Sequence, residues 1–177
     1  MKEKYLFELE RNLELQASGF LMQKDNLLLQ SQLRTEHFQI KMLDRIRAMQ
    51  NNELILDVLD LGNIKGILKE VASDHICLEV GQKEIIIPTW SIQWSKSLIK
   101  MSKSATMLQS KWNLQSLLRS VLIEKLDIIV CLRKDNLLNG QITNVYLDHF
   151  DMISEKNIYS IQFSTVKYIS KDRDLND

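Results

Sequence analysis

Two Asp-His pairs, Asp74-His75 and Asp148-His149, are the residues of this chain whose types could do acid–base chemistry. A carboxylate that orients an imidazole makes a general base. Adjacent residues of a strand point to opposite faces, however, so the two side chains of each pair are not expected to meet. No Ser or Cys stands in a nucleophile motif. The pair recurs in the same kind of turn, where an Asp commonly bonds nearby backbone, so a structural role in the turn is expected for Asp74, His75, Asp148 and His149. The third histidine, His37, does not complete a metal-site spacing with the others, and five glycines leave little for a phosphate loop. No catalytic residue, metal ligand or cofactor is assigned, and the chain is expected not to be an enzyme. The second available chemistry is phosphate and base binding. Lys96, Lys100, Lys103 and Lys111, with Arg119 and Lys125 beyond them, form a basic stretch close in sequence to Trp90, Trp94 and Trp112.

A repeat positions these residues. Gly66 and Gly140 lie 74 positions apart (140 − 66), and the same offset carries Val71 to Val145, Asp74-His75 to Asp148-His149, Ile55 to Ile129 and Ile87 to Ile161 without a gap. Each copy reads Gly-x4-Val-x2-Asp-His. Leu54, Leu56 and Val58 alternate as a strand, matched by Ile128, Val130 and Leu132; Ile64, Gly66 and Leu68 match Leu138, Gly140 and Ile142. Val71 and Val145 break the two-residue period, which predicts a bulge or sharp bend, with Gly66 allowing close backbone approach. Ile76, Leu78 and Val80 resume the alternation, Ile85–Ile87 form a short strand stopped by Pro88, and Ser91–Trp94 can form a fifth. A gapless internal repeat on core-facing positions means a duplicated structural unit. In that frame Trp94 matches Tyr168 and is expected in the core; Trp112 opens an amphipathic helix and is expected to pack; Trp90 matches Ser164 and is expected at the surface. The candidate nucleic-acid-binding residues are therefore Lys96, Lys100, Lys103, Lys111 and Trp90.

The first fifty residues hold one Gly and no Pro, with Leu6, Leu9, Leu13 and Phe20, then Leu33, Ile40, Leu43 and Ile46, at helical spacing. Two helices that break near Gly19, or one kinked helix, fit that pattern, and the helical stripe offers a seam for a homodimer. Trp112–Glu124 is a second amphipathic helix, and the repeat frame sets Phe38–Gln50 in the equivalent place. The expected fold is α+β: a helical N-terminal segment over 1–50, a five-stranded barrel over 51–95, a basic connector and helix over 96–126, a second barrel over 127–170 and a tail over 171–177.

Composition sets broad limits. Apolar residues are 45% of the 177, enough for a packed core. No apolar run approaches the ~20 residues of a membrane-spanning helix, and no leader with a cleavage site follows the charged start, so a cytoplasmic location is expected. Cys77 and Cys131 are not equivalent in the repeat and read as buried small side chains, not a disulfide. Formal net charge is zero, so nothing forces a nucleic-acid partner, but the charge is uneven. Residues 53–95 hold three Lys and seven acids, and residues 96–126 hold six basic residues and one acid.

One helix followed by five strands, the second bent at a Gly, resembles the Sm-like or SH3-like barrel. Leu138-Asn139-Gly140-Gln141-Ile142 followed by Asp148-His149-Phe150-Asp151-Met152 resembles the first Sm motif, with Ile153 where that motif has its base-binding Asn. Leu6-Phe7-Glu8-Leu9-Glu10, Arg34-Thr35-Glu36, Asp44-Arg45-Ile46-Arg47-Ala48 and the two Asp-His turns also resemble uncharacterised actinobacterial proteins with a helical N-terminus and two such repeats, sometimes labelled Fis-family transcriptional regulators. The chain has no helix-turn-helix with a basic recognition helix to match that label. The expectation is a non-enzymatic binding or adaptor protein whose small barrels contact a protein partner. The alternative is an Sm-like RNA-binding or other nucleic-acid-binding protein.

Overall fold

A computed structural model of the chain describes residues 16, 18–28, 38–96, 98–133 and 136–172. The chain divides into two units, Met1–Ile40 and Lys41–Asp177. In the first, residues 18–28 are helical (α1). Leu6, Leu9, Leu13 and Leu33 of the expected stripe lie outside the described residues.

Among its described residues the second unit holds one ten-stranded antiparallel sheet with three short α-helices, α2 (Met42–Ala48), α3 (Met107–Lys111) and α4 (Leu114–Glu124). Five strands come from each copy of the repeat. The first copy forms β1 (Glu53–Val58), β2 (Gly62–Val71), β3 (His75–Val80), β4 (Lys83–Pro88) and β5 (Ile92–Lys96). The second forms β6 (Asp127–Leu132), β7 (Leu137–Val145), β8 (His149–Ser154), β9 (Asn157–Gln162) and β10 (Val166–Asp172). The bounds of β1, β3 and β4 reappear unchanged at the 74-residue offset (127 − 53) in β6, β8 and β9.

The order across the sheet is β5-β1-β2-β3-β4-β10-β6-β7-β8-β9. This overturns the expectation of two tandem Sm-like or SH3-like barrels. The two sets of strands neither close nor separate: β10 bonds β6 on one side and β4 on the other, Ile169 facing Ile86 and Ser170 facing Ile85. The sheet stays open, with β5 and β9 at its edges. The physical reason is strand valence. A strand can satisfy backbone donors and acceptors on both sides, and β4 takes its second neighbour from the other copy instead of leaving that edge bare. The expected helical segment over 1–50, broken or kinked near Gly19, is corrected too: α1 runs through Gly19, and Ile40 and Lys41 are not helical. The seven-residue α2 that follows belongs with the sheet.

The bend of each copy is where parity breaks. Register between β2 and β3 shifts between Leu68 and Glu70, and between β7 and β8 it shifts between Ile142 and Asn144, 74 residues on (142 − 68). At both bends the strands run so close that the glycine matters. A Cβ on Gly66 would come within 2.7 Å of the Glu79 carbonyl oxygen, and one on Gly140 would come closer still to that of Ile153.

Two apolar clusters flank the sheet. Leu54, Leu56, Leu68, Val71, Ile76, Leu78 and Ile87 pack under Ile46 of α2, with Tyr168 reaching in from β10. Leu117, Leu118 and Val121 of α4 cover Ile128, Val130, Phe150, Met152 and Ile161. Cys77 and Ile86 of the first copy join that second cluster, so β10 binds the halves by packing as well as by hydrogen bonds. Helix α4 forms because Leu114, Leu117, Leu118 and Val121 fall on one face. Asn113 caps its start by accepting from Ser116 N at 2.8 Å, and Lys125 ends it in the left-handed region (φ 54°).

Among the described residues, no helix is long and apolar enough to cross a membrane. Both cysteines are buried and carry their sulfur as a thiol. Burial, with Glu84 and Glu70 nearby, pushes the Cys77 thiol well above its ordinary range, so it stays protonated and unreactive. A maleimide reagent is expected to label neither Cys77 nor Cys131 in the native protein and both in denaturant; rapid native labelling at Cys77 would contradict the packing described.

Candidate functional site

The two Asp-His turns, distant in sequence, border one cleft. It has a volume of about 600 Å³ and is lined by Asp74, Trp90, Asn113, Leu114, Gln115, Leu147, Asp148, Gln162, Phe163 and Ser164. Sequence periodicity gave no signal for this meeting. It follows from the pairing of β10 with β4, which sets the second copy beside the first.

Contrary to expectation, the side chains of each pair do meet. Asp74 Oδ1 lies 2.9 Å from His75 Nδ1, and Asp148 Oδ1 lies 2.7 Å from His149 Nδ1. The strand alternation that argued against a dyad does not apply, because Asp74 and Asp148 occupy bends and the strands begin at His75 and His149. Both turns share further bonds. Asp74 O accepts from Thr89 N at 2.8 Å, and Asp148 O accepts from Phe163 N at 3.0 Å. Ala72 N donates to His75 O and Tyr146 N to His149 O, each at 2.9 Å. The two turns thus share the same set of backbone and side-chain bonds.

The copies differ in what else they hold. Asp74 Oδ1 also accepts from Leu114 N at 2.8 Å, so this carboxylate caps α4, and the helix terminus offsets part of its charge. His75 is fully buried, and its Nε2 has no hydrogen-bond partner. In the second copy the pair opens to solvent. The Asp148 side chain is 77% exposed, and His149 stacks on Tyr146 with ring centroids 4.4 Å apart. The hydrogen bond from His149 holds the Asp148 carboxyl below its usual range, so it carries a full negative charge near neutral pH.

Two aromatic side chains form fixed walls. Trp90 is 41% exposed, as expected of a surface residue, yet its Nε1 donates to Val166 O at 3.2 Å, which pins the indole. Phe163 stacks on the buried Phe150 with centroids 5.9 Å apart. The α4 terminus offers little to an anion, since Leu114 N is taken by Asp74 and Ser116 N by Asn113. The lining thus combines two carboxylates, two aromatic rings and neutral polar groups, with no Lys or Arg among them.

Of the residues singled out for nucleic-acid binding, Trp90 alone lines the cleft. Lys96 ends β5, Lys111 ends α3, and Lys100 and Lys103 sit on the irregular chain between; all four are exposed. That connector is fastened to α2. Arg45 donates to the carbonyls of Leu98 and Ile99 at 2.9 and 3.0 Å, and Lys103 N donates to Asp44 O at 3.0 Å. Trp112 packs against the second cluster as expected. Trp94 departs from its expected core position: it is 44% exposed, because β5 is an edge strand and its counterpart Tyr168 lies mid-sheet. Comparison with known proteins finds no matching family model and no matching curated protein.

Proposed function

We propose that this chain is a non-catalytic binding protein that takes a basic side chain of a protein partner into the cleft between its two Asp-His turns. The observation that carries the reading is the lining. An ionised, exposed carboxylate at Asp148 shares the lining with Trp90 and Phe163, and no Lys or Arg is in that lining to receive a phosphate. A cation over an indole gains electrostatic attraction, and a carboxylate beside it adds to the gain. The other lining groups, Asn113, Gln115, Gln162 and Ser164, suit the backbone of an extended segment. A cytoplasmic setting belongs to the same proposal and is supported by two cysteines that are both thiols.

The test uses the full chain and short peptides with a central Arg or Lys, read by tryptophan fluorescence. Wild type should bind the basic peptides and ignore their Gln counterparts. Trp90→Ala should weaken binding about five- to tenfold, as loss of one cation–π contact does. Asp148→Asn should weaken it and flatten its salt dependence. The nucleic-acid alternative predicts a different pattern. RNA would bind, Asp148→Asn would have no effect, and reversing Lys96, Lys100 and Lys103 to Glu would abolish retention; that result would overturn the peptide reading.

A further inference from the structure

The two open edges of the sheet are equivalent to the two strands that join in its middle. Strand β9 is the repeat counterpart of β4, and β5 is the counterpart of β10 (offset 157 − 83 and 166 − 92). In the middle of the sheet β4 and β10 are hydrogen-bonded to each other; at the ends β9 and β5 each have one neighbour. From this we infer that β9 of one copy pairs with β5 of a second copy, so that chains join head to tail by the contact that already joins the two halves within one chain.

The internal junction supplies the register. Ile169 faces Ile86 and Ser170 faces Ile85. Moved by the offset, those pairs become Ser95 against Ser160 and Lys96 against Tyr159. The side-chain contacts around the junction have counterparts as well. Ser91 Oγ accompanies the junction by donating to Lys167 O at 2.8 Å and to Pro88 O at 2.7 Å. Its counterpart Thr165 keeps the second bond, donating to Gln162 O at 2.7 Å, and Gln93, the counterpart of Lys167, is exposed. Tyr168 reaches from β10 into the core of the other half; its counterpart Trp94 is 44% exposed on β5. The bulge is shared too. β5 shifts register against β1 between Asp57 and Val58, and β10 shifts against β6 between Val166 and Tyr168.

Of the two edges, β9 is the unblunted one, whereas β5 carries the bulge and Lys96. Native edge strands are commonly blunted by charge, proline or a bulge. Strand β9 reads Asn157-Ile158-Tyr159-Ser160-Ile161-Gln162, with no charge and no proline, and pairs with β8 over six residues without a break. Ile158 is 69% exposed and Tyr159 37%. Its internal counterpart β4 carries Lys83, Glu84 and Pro88 and lies inside the complete sheet. An edge that differs from its partner edge makes a heterologous contact, which propagates or closes into a ring according to its angle.

The test is sedimentation velocity of the full chain over a range of concentrations. Wild type should show species of two or more chains that grow with concentration. Tyr159→Lys sets a second ammonium opposite Lys96 and should return the protein to single-chain mass. Lys96→Glu added to Tyr159→Lys restores an opposite-charge pair and should restore assembly; both positions are exposed, so circular dichroism should be unchanged throughout. A wild type that stays at single-chain mass overturns the inference. So does a Tyr159→Lys variant that assembles as wild type does, which would place the contact elsewhere.

Discussion

Gly140→Ala is expected to cost more than about 4 kcal/mol of stability, the range reserved for disruption of a specific backbone or core feature. The added methyl would occupy the space of the Ile153 carbonyl oxygen, with Ser154 Cα 3.3 Å away on the same strand. Neither neighbour is a flexible side-chain end, so β7 and β8 must part at the bend. Gly66→Ala provides the graded comparison. There the nearest atoms are the Glu79 carbonyl oxygen at 2.7 Å and Val80 Cγ2 at 2.8 Å, and the valine can rotate. A cost of about 1–3 kcal/mol, typical of overpacking, is expected. Urea denaturation of both variants checks the order, and a Gly140→Ala protein as stable as Gly66→Ala would show that the second bend is looser than described.

Asp44→Ala is the second large effect, at about 3–5 kcal/mol. Arg47 is 2% exposed, and its Nη1 donates to Asp44 Oδ1 at 2.6 Å and to Lys103 O at 3.2 Å. Removing the carboxylate leaves a buried guanidinium without its counter-charge, which costs far more than the pair contributes. The connector should loosen with it, because the Arg47 guanidinium that Asp44 holds also donates to Lys103 O, and only the backbone bond from Lys103 N to the residue-44 carbonyl remains. Thermal unfolding measures the loss; Asp44→Ala combined with Arg47→Met should recover part of it, since no unpaired charge then remains. Failure of the double variant to exceed Asp44→Ala would mean that the guanidinium is solvated.

Much of the strand pattern was legible in the amino acids. Leu54, Leu56 and Val58 are buried with their alternation intact, and the parity break at Val71 and Val145 became the register shifts at Leu68/Glu70 and Ile142/Asn144. What did not show was neighbourhood. Side-chain alternation decides which face a residue presents, but it says nothing of which strand lies alongside, so Ile86 and Ile169 gave no hint of facing one another. That one pairing converted two expected barrels into a single sheet. It also hid the site. Asp74 and Asp148 were legible as turn residues, whereas their place on one cleft with Trp90 depends on the β4–β10 pairing. Phe163, Gln162 and Asn113 were missed for the same reason. The lysines stood out because charge runs are visible in one dimension, although none of Lys96, Lys100, Lys103 and Lys111 lines the cleft.

The shared strand β10 also orders events during synthesis. It is the last of the ten strands to leave the ribosome, while β4, which it must meet, emerges about eighty residues earlier. For that interval a folded first half presents β4 as a bare edge to other nascent chains. Lys83 and Glu84 lie on that edge, pairing in the finished sheet with Asp172 and Lys171. Their charges guard that edge against mispairing while translation continues, and Glu84 then pairs with Lys171 at 2.9 Å once β10 has docked.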